Sequence, residues 1–194
     1  DFEITYINPM DPPDWFKEIS PTGQVPLLKV DNDIVFESSV ITEFINDISS
    51  HSIHPEDVIK KANNRSWIAF SSTMFDDLFS LVTGDEEKFN TAKTSLFNKL
   101  AKLEKAKNNS TFFNGDEFNM IDAALAPFLM RLAWINEFTN NALSISEFKK
   151  LSEWSNSILA VKEVKSSVVD GLDDVYYSNI EGREGYLSTL LVDE

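Results

Sequence analysis

Glu37 and Ser38 are the residues whose types and position in this chain most clearly suggest chemistry. They follow a β-rich run at residues 34–36 and open a segment whose apolar residues recur at helical spacing. Free N–H groups at a helix start and a serine hydroxyl bind a carboxylate well, and a glutamate beside them could receive an ammonium group. A helix N-cap is an equally good interpretation of Ser38, and one side chain can fill both roles.

Two further sets of residues in the second half of the chain have candidate roles. Trp67, Phe70 and Met74 lie at helical spacing and could line a pocket for a substrate, although such a stripe is more often part of a core or a dimer interface. Asn119 and Asp122 have the spacing of a capping box, in which Asp122 reaches back to the backbone N–H of Asn119. We expect this second pair to be structural.

The two histidines of the chain do not indicate a metal site. His51 and His54 precede Pro55 in a stretch that is typical of a linker, and nothing nearby clearly supplies further ligands. The chain has no Cys, which excludes disulfides and thiolate metal sites. We therefore expect two solvated histidines and no metal cofactor.

The composition favours a globular protein that binds neither nucleic acid nor membranes. The 194 residues carry 17 basic and 32 acidic side chains, and a net charge of -15 opposes binding to phosphate backbones. No apolar run approaches the roughly 18 residues of a membrane span. The chain begins Asp1-Phe2-Glu3, without the basic region of a secretory signal, so we expect a cytoplasmic location.

Patterns along the chain predict an α/β domain at residues 1–50 and an all-helical domain at residues 51–194. The first domain is expected to hold strands at residues 2–7, 25–30 and 34–36, a short helix at 15–19 and a longer one from Glu37-Ser38 to about Ser49. The second is expected to hold helices at residues 55–81, 85–107, 119–138, 148–158 and 161–169, followed by a poorly patterned tail at 170–194. Pro55 is expected in the first turn of its helix.

Several motifs resemble the glutathione transferase family, and they cover nearly the whole chain. GQVPLL at residues 23–28, a hairpin, and ESSVITEF at residues 37–44 resemble the family's glutathione-binding half. DWFKEISP at residues 14–21 is similar to the segment that precedes this half in omega-like and related bacterial members. FFNG at residues 112–115 and NMIDAALAP at residues 119–127 resemble the C-terminal folding signature, with Asn119 in place of a hydroxyl residue.

The resemblance implies a fold and a set of binding residues. The fold is a thioredoxin-like N-terminal domain, incomplete here, joined to an all-α C-terminal bundle. The Val25-Pro26 peptide is cis in this pattern, and the backbone of Val25 holds the cysteine of glutathione. Glu37 and Ser38 hold its γ-glutamyl end. The lysine that contacts the glycyl end in omega-like relatives has no counterpart near Pro12.

The resemblance also implies that a strand is missing from the sheet. Residues 2–7 match the family's second strand and residues 25–30 its third, whereas the first strand, which lies between them, has no match. We therefore expect about 25–30 further N-terminal residues, carrying the catalytic Cys, Ser or Tyr. Without that strand, residues 2–7 should be disordered or paired differently, because unpaired backbone groups in a buried sheet are costly.

The function implied is that of a cytoplasmic glutathione transferase acting in detoxification. The thiolate of glutathione, a co-substrate rather than a cofactor, attacks an electrophilic small molecule or exchanges disulfides. A homodimer is expected, formed through the helix that begins at Ser38 and the helix at residues 55–81. The alternatives are a non-catalytic interaction module like stringent starvation protein A, and an isomerase of a maleyl-type substrate.

Overall fold

The computed structural model describes residues 2–192 and contains two units, Asp1–Ile53 and His54–Glu194. The first unit is built from helix α1 (Asp14–Ile19), strands β1 (Leu27–Val30) and β2 (Asp33–Phe36), and helix α2 (Ser38–Ile48). The second unit is helical in all its regular elements.

The first unit is organised by an antiparallel hairpin. Leu27 pairs with Phe36 and Val30 with Asp33, and the turn between them places Asp31 at a φ of 52°. The strand predicted at residues 25–30 was expected to begin at residue 25. That boundary is wrong, because β1 begins at Leu27. Pro26 has no N–H to donate to the ladder, so the ladder starts after it.

Residues 2–7 form no strand in the part of the chain that the structure describes. The sheet there has two strands, β1 and β2, and Phe2 is 84% exposed. The prediction of a strand is therefore wrong. The expectation that this segment is disordered or paired differently stays a prediction. Alternating apolar residues favour a strand only where another strand can satisfy the backbone groups.

The second unit consists of helices packed around a common core. Its elements are α3 (Val58–Thr83), α4 (Glu86–Ala106), α5 (Met120–Phe138), α6 (Lys149–Ala160), α7 (Lys162–Lys165), α8 (Leu172–Gly182) and a 3-10 helix (Tyr186–Leu190). Helix α5 lies at the centre, and its residues Ile121, Leu125 and Ile135 are almost fully buried. They belong to the core together with Trp154, the largest fully buried side chain.

Two boundaries in the second unit differ from the sequence predictions. Helix α3 begins at Val58, so Pro55 lies before the helix and not in its first turn; Asp57 is the N-cap, and its Oδ1 accepts a hydrogen bond from Lys60 N at 2.8 Å. Of residues 161–169, only Lys162–Lys165 are helical. An N-cap side chain fixes the start of a helix more firmly than proline, which is merely tolerated there.

The tail at residues 170–194 is more ordered than its pattern suggested, up to the last described residue. It forms α8 and the 3-10 helix, and Ile180 and Leu187 are fully buried. Tyr186 N donates to Gly84 O at 2.8 Å, and a Cβ on Gly185 would lie 2.5 Å from Val82 O. The close approach at Gly185 therefore requires glycine.

No helix within residues 2–192 is both long and apolar enough to cross a membrane.

Candidate functional site

The hairpin of the first unit brings the four predicted ligand-binding residues to one end. Because Leu27 pairs with Phe36, the residues just before β1 and just after β2 lie at the same end of the ladder. These are Val25 and Pro26 on one side, and Glu37 and Ser38 on the other. The Val25-Pro26 peptide is cis, as the resemblance implies, and Val25 is half exposed.

Glu37 is the N-cap of α2 and has an unusual backbone conformation. Its φ is 69° and its ψ is 117°, a region that residues other than glycine rarely adopt and that costs about 1–3 kcal/mol. Its carbonyl accepts a hydrogen bond from Ile41 N at 2.9 Å, while its side chain is exposed and makes no capping hydrogen bond. Strain of this kind is found mostly at binding and catalytic sites.

Ser38 is the first residue of α2, so its interpretation as the N-cap is wrong. Glu37 holds the N-cap position. The Ser38 side chain is exposed, and its hydroxyl makes no hydrogen bond to any residue in the range 2–192. Its carbonyl accepts one from Thr42 Oγ1. The first turn of α2 contains no acidic residue and no capping side chain, so its amide groups retain the positive end of the helix dipole.

In the second unit, Trp67, Phe70 and Met74 lie on the face of α3 that packs against the core. The rings of Trp67 and Phe70 are 5.4 Å apart in an edge-to-face arrangement, and both side chains are partly buried. Met74 has no exposed surface. A substrate pocket at these three residues stays a prediction, and Met74 contributes to the core.

Asp122 is a fully buried carboxylate that accepts three hydrogen bonds. It accepts from Asn119 N at 2.7 Å, which is the capping contact predicted from the spacing, and also from Phe113 N at 2.9 Å and Trp154 Nε1 at 2.6 Å. Burial raises the pKa of Asp122 above its usual value, and the three hydrogen bonds oppose that shift. The group joins α5, α6 and the loop before α5.

Lys107 lies beside this carboxylate and was not predicted from the sequence. Its ammonium group is buried and donates to the carbonyl oxygens of Ser110 at 2.6 Å and Phe112 at 3.0 Å, and to Asn108 O at 3.3 Å. Burial lowers the pKa of Lys107, and the charge of Asp122 opposes that shift. Lys107 therefore holds the loop after α4 in shape.

The two histidines differ in their exposure to solvent. His51 is exposed, and its Nδ1 lies 3.0 Å from Ser50 Oγ, whereas His54 is only 7% exposed. The prediction that both are solvated is wrong for His54. Within the described range 2–192, no group of three or more acidic or histidine side chains could hold a metal ion.

Two family models match the chain. The model described as "Glutathione S-transferase, N-terminal domain" matches residues 1–48, and "Glutathione S-transferase, C-terminal domain" matches residues 67–157. The chain belongs to the glutathione S-transferase family. The hairpin, α2 and the capping contact of Asp122 all lie within the matched residues.

Individual transferases and their relatives resemble the chain to different extents. It is 38% identical over 81 residues to Protein LigF of Sphingobium sp. strain SYK-6, a match that covers 39% of the chain and 32% of LigF, so it spans about a third of that protein. It is 25% identical over 191 residues to glutathione S-transferase omega-1 of Sus scrofa, covering 91% of the chain and 76% of that protein.

A solved structure supports the fold. The crystal structure of rice GST1 in complex with glutathione superposes with a TM-score of 0.79 at 20% identity, covering 93% of the chain and 87% of that protein. The predicted glutathione transferase fold, with a small sheet and helices followed by a helical domain, is thus confirmed, and so is the recognition of the family.

Proposed function

We propose that the chain binds glutathione at the end of its hairpin and acts as a glutathione transferase. One observation carries this proposal, namely that strand register brings Val25 and Pro26 to the same end as Glu37 and Ser38. The rice relative is a complex with glutathione, which supports the choice of ligand. The match to LigF covers only about a third of that protein. The transferase activity is therefore proposed for this chain and is not inferred from LigF.

In the proposed complex, the residues of the hairpin site bind different parts of glutathione. The γ-glutamyl carboxylate accepts hydrogen bonds from the Ser38 hydroxyl and the first amides of α2, where the helix dipole favours negative charge. The Glu37 carboxylate pairs with the γ-glutamyl ammonium. The backbone of Val25 holds the cysteine of glutathione by its N–H and C=O groups.

The reaction that we propose is nucleophilic. Bound glutathione reacts as its thiolate, which attacks an electrophilic small molecule or exchanges with a disulfide. Detoxification of electrophiles is the corresponding role. A non-catalytic protein of the same fold is the alternative, and it is the function expected if glutathione does not bind.

Substitution of Ser38 tests the glutathione site directly. Ser38→Ala removes a hydrogen bond to a charged group and should weaken glutathione binding by about 1–3 kcal/mol, measured by isothermal titration calorimetry. Ser39→Ala is the matched control, because Ser39 is an exposed serine of the same helical turn. Equal affinity of the Ser38→Ala variant and the parent would contradict the proposed contact.

We also propose that the protein is a homodimer formed through α2 and α3. Exposed apolar side chains occur on each of these helices, including Ile48 on α2 and Ile59 on α3. Light scattering at micromolar concentration should give twice the mass of one chain. Ile59→Asp should shift the mass toward that of a monomer, whereas Val175→Asp, an exposed site on α8, should not. A monomeric parent would refute the dimer.

A further inference from the structure

A cavity between three helices of the second unit combines an apolar wall with arginines. It has a volume of about 180 Å³ and is lined by residues of α3, α5 and the end of α8. Phe75, Leu78 and Phe79 form its apolar wall, and Arg131, Tyr176 and Arg183 form its polar side. We refer to it as the Arg131 cavity.

The aromatic rings of the apolar wall are available to a ligand. Phe79 is 62% exposed, and Phe75 is held in place by an edge-to-face contact with Phe128 at 5.8 Å. A closed apolar cavity of about 150 Å³ accommodates one benzene molecule, so this volume suits a single six-membered ring. A larger ring system would extend into solvent.

The two arginines of the polar side form no ion pair with a carboxylate of the described residues. The chain has only three arginines against 32 acidic residues, and two of those arginines line this cavity. None of the lining residues is acidic, and neither Arg131 nor Arg183 forms an ion pair within residues 2–192. Two unpaired guanidinium groups in a protein with a net charge of -15 favour an anionic ligand.

The side chain of Arg131 is held in position by contacts within the chain. Its Nη1 donates to Pro127 O at 2.8 Å, and its guanidinium lies 5.8 Å from the centre of the Tyr176 ring. A guanidinium has five N–H donors, so the remaining ones can pair with both oxygens of a carboxylate. Burial raises the pKa of Tyr176 to about 12, with the charge of Arg131 opposing the shift.

We propose that the Arg131 cavity binds small aromatic carboxylates of one ring, with the ring against Phe75 and Phe79 and the carboxylate at Arg131 and Arg183. Binding at this cavity requires neither glutathione nor a reaction. It can therefore be measured, and can fail, separately from the glutathione site at Ser38.

A ligand-observed NMR titration of the whole chain without glutathione tests the proposal. The probe is phenylacetate, and the matched neutral probe is phenylacetamide. Phenylacetate should bind with a dissociation constant of about 1 mM or below, as expected for a ligand of this size. Phenylacetamide should bind at least about tenfold more weakly, because it cannot form the charged pair.

Variants separate a site from general attraction to positive charge. Arg131→Gln should weaken phenylacetate binding about tenfold and Arg183→Gln about threefold, since Arg183 is the more exposed of the two. Arg183→Gln keeps the test valid if Arg131→Gln does not fold. Arg65→Gln, the same change at the third arginine, which does not line the cavity, should leave the affinity unchanged.

Three results would overturn the proposal. The first is equal affinity for phenylacetate and phenylacetamide. The second is an equal loss of affinity in Arg65→Gln and Arg183→Gln. The third is the absence of phenylacetate binding by the folded parent at about 10 mM.

Discussion

The starts of helices α2 and α5 use the same local chemistry to different ends. At α2, the Glu37 backbone is strained, and the Ser38 hydroxyl and the first amides meet solvent without a capping side chain. At α5, Asp122 is fully buried and each of its contacts is made within the chain. A polar helix start with unmet hydrogen bonds therefore suits a ligand, whereas a satisfied one stabilises the fold.

The largest loss of stability is expected on substitution of Asp122. Asp122→Ala leaves the N–H groups of Phe113 and Trp154 buried, and that of Asn119 partly buried, without this acceptor, so the free energy of unfolding should fall by about 3–5 kcal/mol. Urea denaturation measures this loss. Glu137→Ala, an exposed site on the same helix, is the control. An unchanged unfolding midpoint in Asp122→Ala would show that α5 does not depend on its cap.

Lys107 should give a smaller effect next to the same carboxylate. Lys107→Met removes the donor shared by the carbonyls of Ser110 and Phe112, and the free energy of unfolding should fall by about 2–3 kcal/mol. Lys105→Met, at an exposed lysine in the last turn of α4 just before Lys107, should have little effect.

The pH dependence of the Lys107 effect has a defined sign. Burial lowers the pKa of Lys107 below the 10.5 of an exposed lysine, so the folded state binds fewer protons there than the unfolded state. The parent should therefore gain stability relative to Lys107→Met as the pH rises from the folded pKa toward 10.5. A loss of relative stability over that interval would contradict the proposed burial cost.

The sequence predicted the parts of the molecule that depend on near neighbours. The hairpin, the start of α2 at Ser38 and the contact from Asp122 to Asn119 involve residues no more than nine positions apart. Contacts over long distances could not be predicted. Trp154 reaches Asp122 across 32 residues, and Glu104 accepts from Leu151 N across 47, because only tertiary packing brings these groups together.

Helix α8 of the second unit has a signal in the sequence, although the helix was not predicted. The apolar residues Leu172, Tyr176 and Ile180 recur every four positions, which is helical spacing. The acidic residues between them weaken this apolar pattern, so α8 was not predicted. The Arg131 cavity depends on that helix and was missed with it. The strain at Glu37 has no signal in the sequence, since glutamate gives no indication of a positive φ.

The smallest change in stability is expected at Glu37, at the start of α2, and it has the opposite sign. Glu37→Gly relieves the strain of a φ of 69°, so the free energy of unfolding should rise by about 0.5–1 kcal/mol, measured by urea denaturation. The same variant should bind glutathione more weakly, because it lacks the carboxylate proposed to pair with the ammonium group. Glu37→Gln is the matched control, since it keeps the strain, removes the charge, and should lose affinity without gaining stability. If Glu37→Gly gains no stability, the backbone at this position is not strained, and the contrast between the two helix starts rests on unmet hydrogen bonds alone.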